Sequence, residues 1–535
     1  MAELSDGVRL ACQIALPLAG DADEVEIPAE SWSAGQRTHL TGQEAPLHRS
    51  SALAWTDLNA QPPLPDDPRA DWERLGPGVA ALLPPSPAAL AQLPGLLRQH
   101  GWRVRLIHQG GRAMTCLPPD QAPLGLAVDL GTTSLAAYLV NLETGQTLAA
   151  QGAANPQAPY GADVIARIAA SMQQARLGAR LQAMLSQRLQ DLAVALCAAA
   201  GAAPGEVVAA TIVGNTAMHH LWLGLPVAHL GTAPYVPVIS RALTVPAAAL
   251  GLHLAPGAEV YHPPSVAGFV GGDHLAMLLA VDILAQPSPV LALDIGTNTE
   301  ITLRVGERLL CCSAASGPAF EGAEITHGMQ ASAGAIERVT WAGHGLVWAD
   351  HRRLTATGVV WGLACWTCWG TLLEQGHLTP TGAFMPGTLG HPKAAFEVVP
   401  AAHSSHGRAI TLSRRDISAV QLAKGAIRAG IKLLLEAANL QEHDLASVIL
   451  AGAFGNYLTV EHAVAIGLLP PLPLVRFRQV GNAAGMGAKR LLLSNAERSA
   501  VEALSTRLEY LELTTHPDFA DRFSQAILLA SDPWD

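Results

Sequence analysis

The chain has 535 residues, of which 50% are hydrophobic and 14% charged, and its 33 basic and 44 acidic residues give a net charge of −11. This length exceeds the roughly 150 residues of a typical domain, and this composition excludes a disordered, highly charged chain. The acidic balance argues against nucleic acid as a ligand. Because proline, glycine or a charge interrupts almost every apolar run before the roughly 20 residues that a spanning helix needs, we expect no membrane partner.

The cysteine pattern bears on the cellular compartment. Seven cysteines, an odd number without the spacing of a disulfide framework, indicate a reducing environment. The residues after Met1 do not form a charged region followed by an apolar one, as a secretory signal does. We therefore predict a cytoplasmic protein.

The first quarter of the chain predicts a small α/β unit that ends near Asp120. Short strands are expected near residues 8–10 and 24–27, and a proline-rich connector begins at Pro62. The pattern then predicts helices over 70–75 and 87–100 and a strand pair over 102–108 and 113–117.

From Leu124 onward, strands that end in Gly-Thr turns alternate with helices predicted over 162–175 and 181–200. The pattern begins again at Val290. Both copies read Leu-Ala-apolar-Asp-apolar-Gly-Thr-polar-Ser/Thr, and their aspartates, Asp129 and Asp294, are 165 residues apart. That separation predicts two similar domains in tandem, since solenoid repeats have periods of roughly 20 to 50 residues.

Each copy carries residues suited to a phosphate and a magnesium ion. Glycine lets backbone N–H groups converge on an anion, and hydroxyl or amide side chains add hydrogen bonds. The expected phosphate-binding residues are Gly131, Thr132, Thr133, Gly296, Thr297 and Asn298. The carboxylates of Asp129 and Asp294 would hold magnesium through its retained waters. A lone copy is more often an ordinary hairpin, but two copies predict a cleft that clamps a polyphosphate from both sides.

Further motifs resemble those of one family, the ATP-dependent reductive activators of corrinoid proteins. This family lies within the superfamily of acetate and sugar kinases, heat-shock chaperones and actin (ASKHA). The resemblance covers almost the whole chain, including the segments at 155–168, 213–220, 294–300, 312–323, 450–457 and 480–487.

The resemblance implies an α/β fold with a two-lobed ASKHA ATPase core of duplicated ribonuclease H-like domains. It divides the chain into a remnant of a ferredoxin-like domain (1–48), a linker with a small α/β middle domain (49–122), lobe 1 (123–288) and lobe 2 with a closing C-terminal segment (289–535). The implied function is ATP-dependent reduction of Co(II) to Co(I) in a corrinoid protein or cobalamin-dependent methyltransferase. The cofactors are ATP and magnesium, and the electron comes from a separate donor such as a ferredoxin or a reductase. A homodimer is left open.

The resemblance also implies roles for single residues. Asn215 and Gly317 join the nucleotide site, and the adenosine loop contains Gly452, Ala453, Gly455 and Asn456. Glu300 and Glu321 are candidates for polarising the attacking water or for holding a metal-bound water, beside the catalytic Asp129 and Asp294. Ser313 and His219 are candidate corrinoid contacts. A turn role is the alternative for Ser313, and a solvated position is the alternative for one histidine of the His219-His220 pair.

Two features depart from the family. Its ferredoxin domain holds a [2Fe-2S] cluster through C-x4-C-x2-C and a distant fourth cysteine. Only Cys12 matches, at the fourth position, so this chain contains no complete iron–sulfur site. The family's glycine-rich turn is replaced by residues 359–364, whose bulky side chains are expected to crowd a nucleotide.

Several alternatives stay open at this stage. Cys365 and Cys368, with Cys311 and Cys312, could form a metal site, but the tryptophans around the first pair favour buried core cysteines. The uncharged stretch 357–373 is the one doubtful candidate for a membrane span, and its threonines and glycines favour a buried core segment. A non-redox binding module switched by nucleotide is one alternative function. A small-molecule kinase is another, although the sequence shows no convincing base beside a substrate hydroxyl.

Overall fold

The computed structural model describes residues 40–43, 47, 49–51, 53–174, 176–317, 319, 325–328, 336–342, 345–350, 362–385, 395–404, 407–452 and 458–529. The strands expected near 8–10 and 24–27, Cys12 and the bulky residues 359–361 lie outside these ranges. Within them, no helix combines the length and apolar character that crossing a bilayer requires.

The N-terminal unit is a three-stranded antiparallel sheet with helices on it. Its strands follow the order β1-β2-β3, and its elements are β1 (Ala54–Asn59), α1 (Pro77–Ala80), α2 (Pro87–Gln99), β2 (Arg103–Gln109) and β3 (Arg112–Leu117). Helix α2 begins where Ser86 accepts a hydrogen bond from the Ala89 amide, with proline at the first helical position. The helix buries Leu93 and Leu97 in the hydrophobic core of the N-terminal unit, which is separate from the cores of the two lobes.

Lobe 1 is built on a six-stranded sheet of order β6-β5-β4-β7-β9-β8. Its strands are β4 (Leu124–Leu130), β5 (Ser134–Asn141), β6 (Thr147–Ala154), β7 (Val207–Val213), β8 (Leu243–Pro246) and β9 (Glu259–His262). Its helices are α3 (Val164–Gln173), α4 (Leu177–Ala199), α5 (Thr216–Leu223) and α6 (Gly272–Ala280). Strands β4 and β7 are buried almost throughout, as expected of central strands that are covered on both faces.

Lobe 2 repeats this plan with a sheet of order β18-β17-β10-β11-β12-β19. Its strands are β10 (Val290–Ile295), β11 (Thr299–Val305), β12 (Arg308–Ala314), β17 (Ser447–Ala451), β18 (Phe477–Gly481) and β19 (Leu508–Tyr510). Two hairpins lie apart from that sheet, formed by β13 (Ile336–Ala342) with β14 (Gly345–Asp350) and by β15 (Phe396–Val399) with β16 (Ile410–Leu412). The helices are α7 (Gly362–Glu374), α8 (Arg414–Ala437) and α9 (Val460–Ala465).

The two sheets share one topology around the predicted aspartates. In lobe 1, β4 pairs antiparallel with β5 and parallel with β7; in lobe 2, β10 pairs antiparallel with β11 and parallel with β17. Asp129 and Asp294 both stand next to the last residue of the central strand. The 165-residue repeat therefore corresponds to two equivalent sheets, which confirms the predicted two-lobed α/β fold.

The last part of the chain crosses between the lobes. Helices α10 (Ala483–Leu493) and α11 (Asn495–Arg507) pack into the core of lobe 1, against α6 and β4 among others. The chain then returns to lobe 2, where β19 pairs with β12 and α12 (Phe519–Ala526) packs on α8. The predicted closing C-terminal segment thus contains a strand and a helix. The four-part division of the chain stays a prediction.

Candidate functional site

The two Asp-apolar-Gly-Thr segments, residues 129–133 and 294–298, are called the acidic turns, and they face each other across one cleft. Thr133, in the turn after β4, and Thr297, in the turn after β10, have hydroxyl oxygens only 3.2 Å apart. The charge of Asp129 contributes to raising the pKa of Asp294, after the larger effect of burial. The structure thus brings together the residues that the repeat singled out, one set from each lobe.

The turn of lobe 1 is held in place through its backbone carbonyls. Asn155 donates from its side-chain amide to the Gly131 carbonyl and from its backbone amide to the Thr133 carbonyl, both at 2.8 Å. Arg167 donates to the Thr132 carbonyl at 2.6 Å. Asn215, which caps α5, donates to the Thr132 hydroxyl at 3.0 Å. Asn215 therefore lies beside the turn of lobe 1, and its contact with a nucleotide stays a prediction.

The turn of lobe 2 lies against the end of β17. The Gly296 amide donates to the Asn298 carbonyl at 3.2 Å, and the Asn298 side chain is partly exposed. Gly452 follows β17 with a φ of +87°, and a methyl group there would lie 2.7 Å from Asp294 Oδ1. Glycine at this position lets the predicted adenosine loop begin directly beside the acidic turn. Ala453, Gly455 and Asn456 lie outside the described residues, as does Glu321.

Four carboxyl groups gather at the bottom of the cleft. Burial raises the pKa of Asp129 to about 6 and that of Asp294 to about 7. Burial, followed by the charges of Asp294 and Asp129, raises the pKa of Asp273 to about 8. Burial, followed by the charges of Asp273 and Asp294, raises the pKa of Glu300 well above its usual value. Such a concentration of carboxyl groups suits a divalent cation, which would favour their ionised forms and relieve the mutual repulsion.

Comparisons with known proteins account for nearly all of the chain. Three family models match in sequence order: the RACo linker region at residues 42–121, the RACo middle region at 124–286, and the C-terminal domain of RACo, the ASKHA domain, at 288–534. The corrinoid activation enzyme RamQ of Eubacterium limosum is 31% identical over 437 residues, which cover 79% of this chain and 73% of RamQ.

The chain belongs to the RACo family.

A second curated relative and a solved structure are similar to this RACo-family chain as well. A [Co(II) methylated amine-specific corrinoid protein] reductase of Methanosarcina barkeri is 30% identical over 269 residues, about half of each chain. The solved structure of a reductive activator for corrinoid, iron–sulfur protein superposes with a TM-score of 0.79 at 29% identity, over 95% of this chain and 85% of that one.

Asp273 is the member of the acidic cluster that the sequence reasoning missed. It lies in the first turn of α6, after two glycines, and both the Gly272 and Asp273 amides face the Gly214 carbonyl at 3.0 and 3.4 Å. A side chain on Gly271 would collide with the backbone of Gly214 and Asn215. The Gly-Gly-Asp sequence before a helix was the available signal, because it lets the helix N-terminus approach the end of β7.

Asn482 joins the C-terminal crossing to the same cluster. Its side-chain amide donates to Asp129 at 3.0 Å, and its side-chain oxygen accepts from the Gly485 amide at 2.7 Å, which caps α10. On its other side, a strap of residues 41–43 lies against 480–482. The Gln43 amide donates to the Val480 carbonyl, and the Asn482 amide donates to the Thr41 carbonyl, both at 3.1 Å.

Of the two candidate corrinoid contacts, Ser313 is partly exposed and His219 is buried. The Ser313 hydroxyl donates to Glu300 at 3.2 Å, so this partly exposed serine belongs to the acidic cluster. His219 is 9% exposed, and its ring lies 5.0 Å from that of His262 and 5.7 Å from that of His220. Burial, followed by the two neighbouring histidines, holds the pKa of His219 well below its usual value. Their contact with a corrinoid stays a prediction.

The remaining predicted positions have structural contacts. Gly317 adopts a φ of +71° after Ser316, whose hydroxyl lies 2.6 Å from that of Thr299. Cys368 is buried in the lobe 2 core beside Trp369, as the apolar interpretation predicted; the side chain of Cys365 is not described. Within the described ranges, no three histidine, cysteine or acidic side chains are close enough to serve together as direct ligands of one metal ion.

Proposed function

We propose that this protein activates a corrinoid protein by ATP-dependent reduction of its cobalt from Co(II) to Co(I). The observation that carries this proposal is the contact of two acidic turns across one cleft, in a chain similar to a reductive activator along 95% of its length. The M. barkeri relative is named as a Co(II) corrinoid protein reductase, which supports cobalt as the atom reduced.

In the proposed nucleotide site, both lobes contribute residues that bind magnesium and the phosphates. Asp129 and Asp294 would hold magnesium through water, and the two Gly-Thr turns would supply N–H and hydroxyl groups to the phosphate oxygens. When bound, magnesium ATP supplies the free energy of hydrolysis and withdraws charge from the terminal phosphate. Gly317 and the loop beginning at Gly452 complete the site on the lobe 2 side.

Asp273 is the residue we assign to proton transfer. Its charge interacts with both Asp129 and Asp294, the two residues proposed to hold the metal, and we therefore place it beside the terminal phosphate of the nucleotide. Its carboxylate, which a bound cation would keep ionised, would take a proton from the attacking water. Glu300, hydrogen-bonded to Ser313, supports the same group of carboxyls from the lobe 2 hairpin.

The coupling to reduction follows from binding preferences. A separate donor, such as a ferredoxin or a reductase, gives one electron to Co(II), and hydrolysis converts ATP and water to ADP and phosphate. A protein can favour the uphill product only by binding the states of its partner with different affinities, so lobe closure must change the fit to the corrinoid protein. A cytoplasmic location, expected from the cysteine pattern, belongs to the same proposal.

A spectroscopic experiment tests this function. The full chain is mixed with a Co(II) corrinoid protein, a low-potential one-electron reductant, magnesium and ATP, and the visible spectrum is followed. Co(I) is expected with ATP and not with ADP. Appearance of Co(I) at the same rate without nucleotide, or its absence with every corrinoid protein from the same cell, would contradict the proposal.

Asp273 also favours one second candidate, a small-molecule kinase, because it supplies the base that such an enzyme needs. Product analysis separates the two. A kinase would transfer phosphate from ATP to an added hydroxyl compound, whereas the proposed activator releases inorganic phosphate whether or not such a compound is present.

A further inference from the structure

The segment from Asn155 to Arg167 lies directly beneath the phosphate-binding turn of lobe 1. It holds three successive carbonyl groups of that turn, those of Gly131, Thr132 and Thr133, at 2.6 to 2.8 Å. Asn155 makes the first and third of these hydrogen bonds and Arg167 makes the second. One residue pair thus fixes the backbone of the entire turn.

Fixing the carbonyls also fixes the direction of the amides. In a planar trans peptide, the C=O and the N–H of one unit point in opposite directions. With the Gly131 and Thr132 carbonyls held toward the interior of lobe 1, the N–H groups of Thr132 and Thr133 are turned away from it. The cleft lies on that side, because the Thr133 hydroxyl meets Thr297 of lobe 2 there. Successive N–H groups of this kind form a concavity that binds anions.

Arg167 is anchored firmly enough to set this geometry. It is fully buried on α3, whose start is fixed by the Asp163 side chain accepting from the Ala166 amide at 2.7 Å. Its guanidinium also donates to the Gly161 carbonyl at 2.9 Å and contacts the Met218 sulfur at 3.3 Å. A guanidinium fork held at several points has little freedom to turn.

The buried charge adds an electrostatic contribution. Arg167 stays protonated, and placing a cation in a low-dielectric interior is costly unless negative charge or carbonyl dipoles lie close to it. Its neighbours on this side include the carbonyls of Gly161 and Thr132. A polyphosphate on the far side of the turn would add a strong favourable interaction, little screened by water.

We infer that Arg167, together with Asn155, is a positioning residue for the polyphosphate of the nucleotide, acting through the backbone of residues 131–133. This inference rests on the proposed nucleotide site. It predicts a specific dependence: the contribution of Arg167 to affinity scales with the number of phosphates on the ligand and is absent for adenosine.

The test compares equilibrium binding of ATP, ADP, AMP and adenosine to the full chain with magnesium, by titration calorimetry. Arg167→Gln is expected to weaken ATP binding roughly 10- to 100-fold, the usual effect of losing a hydrogen bond to a charged group. The loss is expected to diminish from ATP to AMP, and adenosine binding is expected to stay within twofold. Arg167→Lys, which keeps the charge, is expected to retain part of the ATP affinity.

Arg180→Gln is the matched control. Arg180 is exposed on the next helix and lies over the ring of Tyr160, 5.4 Å from its centre, in the same segment but away from the turn. Its loss is expected to change no nucleotide affinity. Asn155→Ser removes the hydrogen bond to Gly131 and leaves Arg167 intact. If Arg167→Gln fails to fold, this variant still shows whether the loss of affinity increases with the number of phosphates on the ligand.

The outcomes separate this inference from the proposed function. Wild-type affinity for ATP in Arg167→Gln, or equal losses for ATP and adenosine, would overturn the positioning role while leaving nucleotide-dependent activation standing. If Arg167→Gln fails to fold, equal losses for ATP and adenosine in Asn155→Ser would likewise overturn it. A wild-type protein that binds no ATP would overturn both.

Discussion

Replacing Asp294 with asparagine should stabilise the ligand-free protein while abolishing ATP turnover. The carboxyl titrates near 3.8 in an unfolded chain, and burial together with Asp129 raises the pKa to about 7 in the fold. A carboxyl whose pKa is raised by folding contributes stability that is present below the unfolded value and is lost as pH rises through the folded value. Asparagine has the same shape and carries no charge, so it escapes this loss.

The magnitude follows from the two pKa values. Linkage between proton binding and folding gives asparagine an advantage of about 1.5 kcal/mol at pH 5 and about 4 kcal/mol at pH 8, as upper estimates. With the usual scaling of about 2 °C per kcal/mol for sizeable domains, the expected gain in Tm is roughly 3 °C and roughly 8 °C. Removing the charge of Asp294 also lowers the pKa of Asp273 and of Glu300, which that charge raises, and this adds to the gain of the variant in the same direction.

The assay is thermal unfolding of the full chain in EDTA, without nucleotide, at both pH values. Asp191→Asn, an exposed carboxyl on α4, is the control and should show no gain that depends on pH. Adding magnesium should raise the Tm of the wild type more than that of Asp294→Asn, because the cation then relieves the same repulsion. An equal gain at pH 5 and pH 8, or a less stable variant at pH 8, would refute the reasoning.

Two further substitutions probe the proton acceptor and the packing. Asp273→Asn should lower the rate of ATP hydrolysis roughly 10²- to 10⁴-fold, as loss of a general base does, with ATP affinity retained by calorimetry; turnover within tenfold of wild type would exclude that role. Gly487→Ala should lower unfolding free energy by about 1–3 kcal/mol, because its methyl would meet the Ala276 carbonyl where α10 crosses α6. Gly95→Ala, exposed on α2 with no atom near the added methyl, should cost nothing in the same denaturant titration.

The acidic turns were predictable because each is a local sequence pattern. A buried strand, an aspartate at its end and a glycine after it fix the path of the chain within a few residues. Glu300 was within reach for a related reason, since it stands opposite Asp294 in the β10–β11 hairpin. Its burial beside Ser313 depends on the pairing of β11 with β12. The alternation of apolar and polar residues predicts these strands but not which strands pair.

No local pattern ties Asp273 to the cleft. The resemblance places residues 482–485 in a segment that connects the lobes, but nothing local ties Asn482 to Asp129. Asp273 reaches the acidic cluster through the approach of α6 to the end of β7, which depends on two glycines that could equally mark a loop. Asn482 contacts Asp129 across 353 residues of sequence. That contact requires the chain to leave lobe 2 and add two helices to lobe 1, and hydrophobic periodicity specifies helices without their partners.

The strap at residues 41–43 sets the N-terminal boundary of the shortest fragment that keeps the contacts around Asn482. Cutting the chain at the start of lobe 1 would remove the hydrogen-bond partners of the Val480 carbonyl and the Asn482 amide. The side chain of Asn482 in turn contacts Asp129 directly. Gly481 has a φ of +72° and admits the Thr41 carbonyl only because it lacks a side chain. Recombinant fragments meant to isolate the two lobes should therefore begin upstream of Leu40, since residues 41–43 pair with the backbone on either side of Gly481.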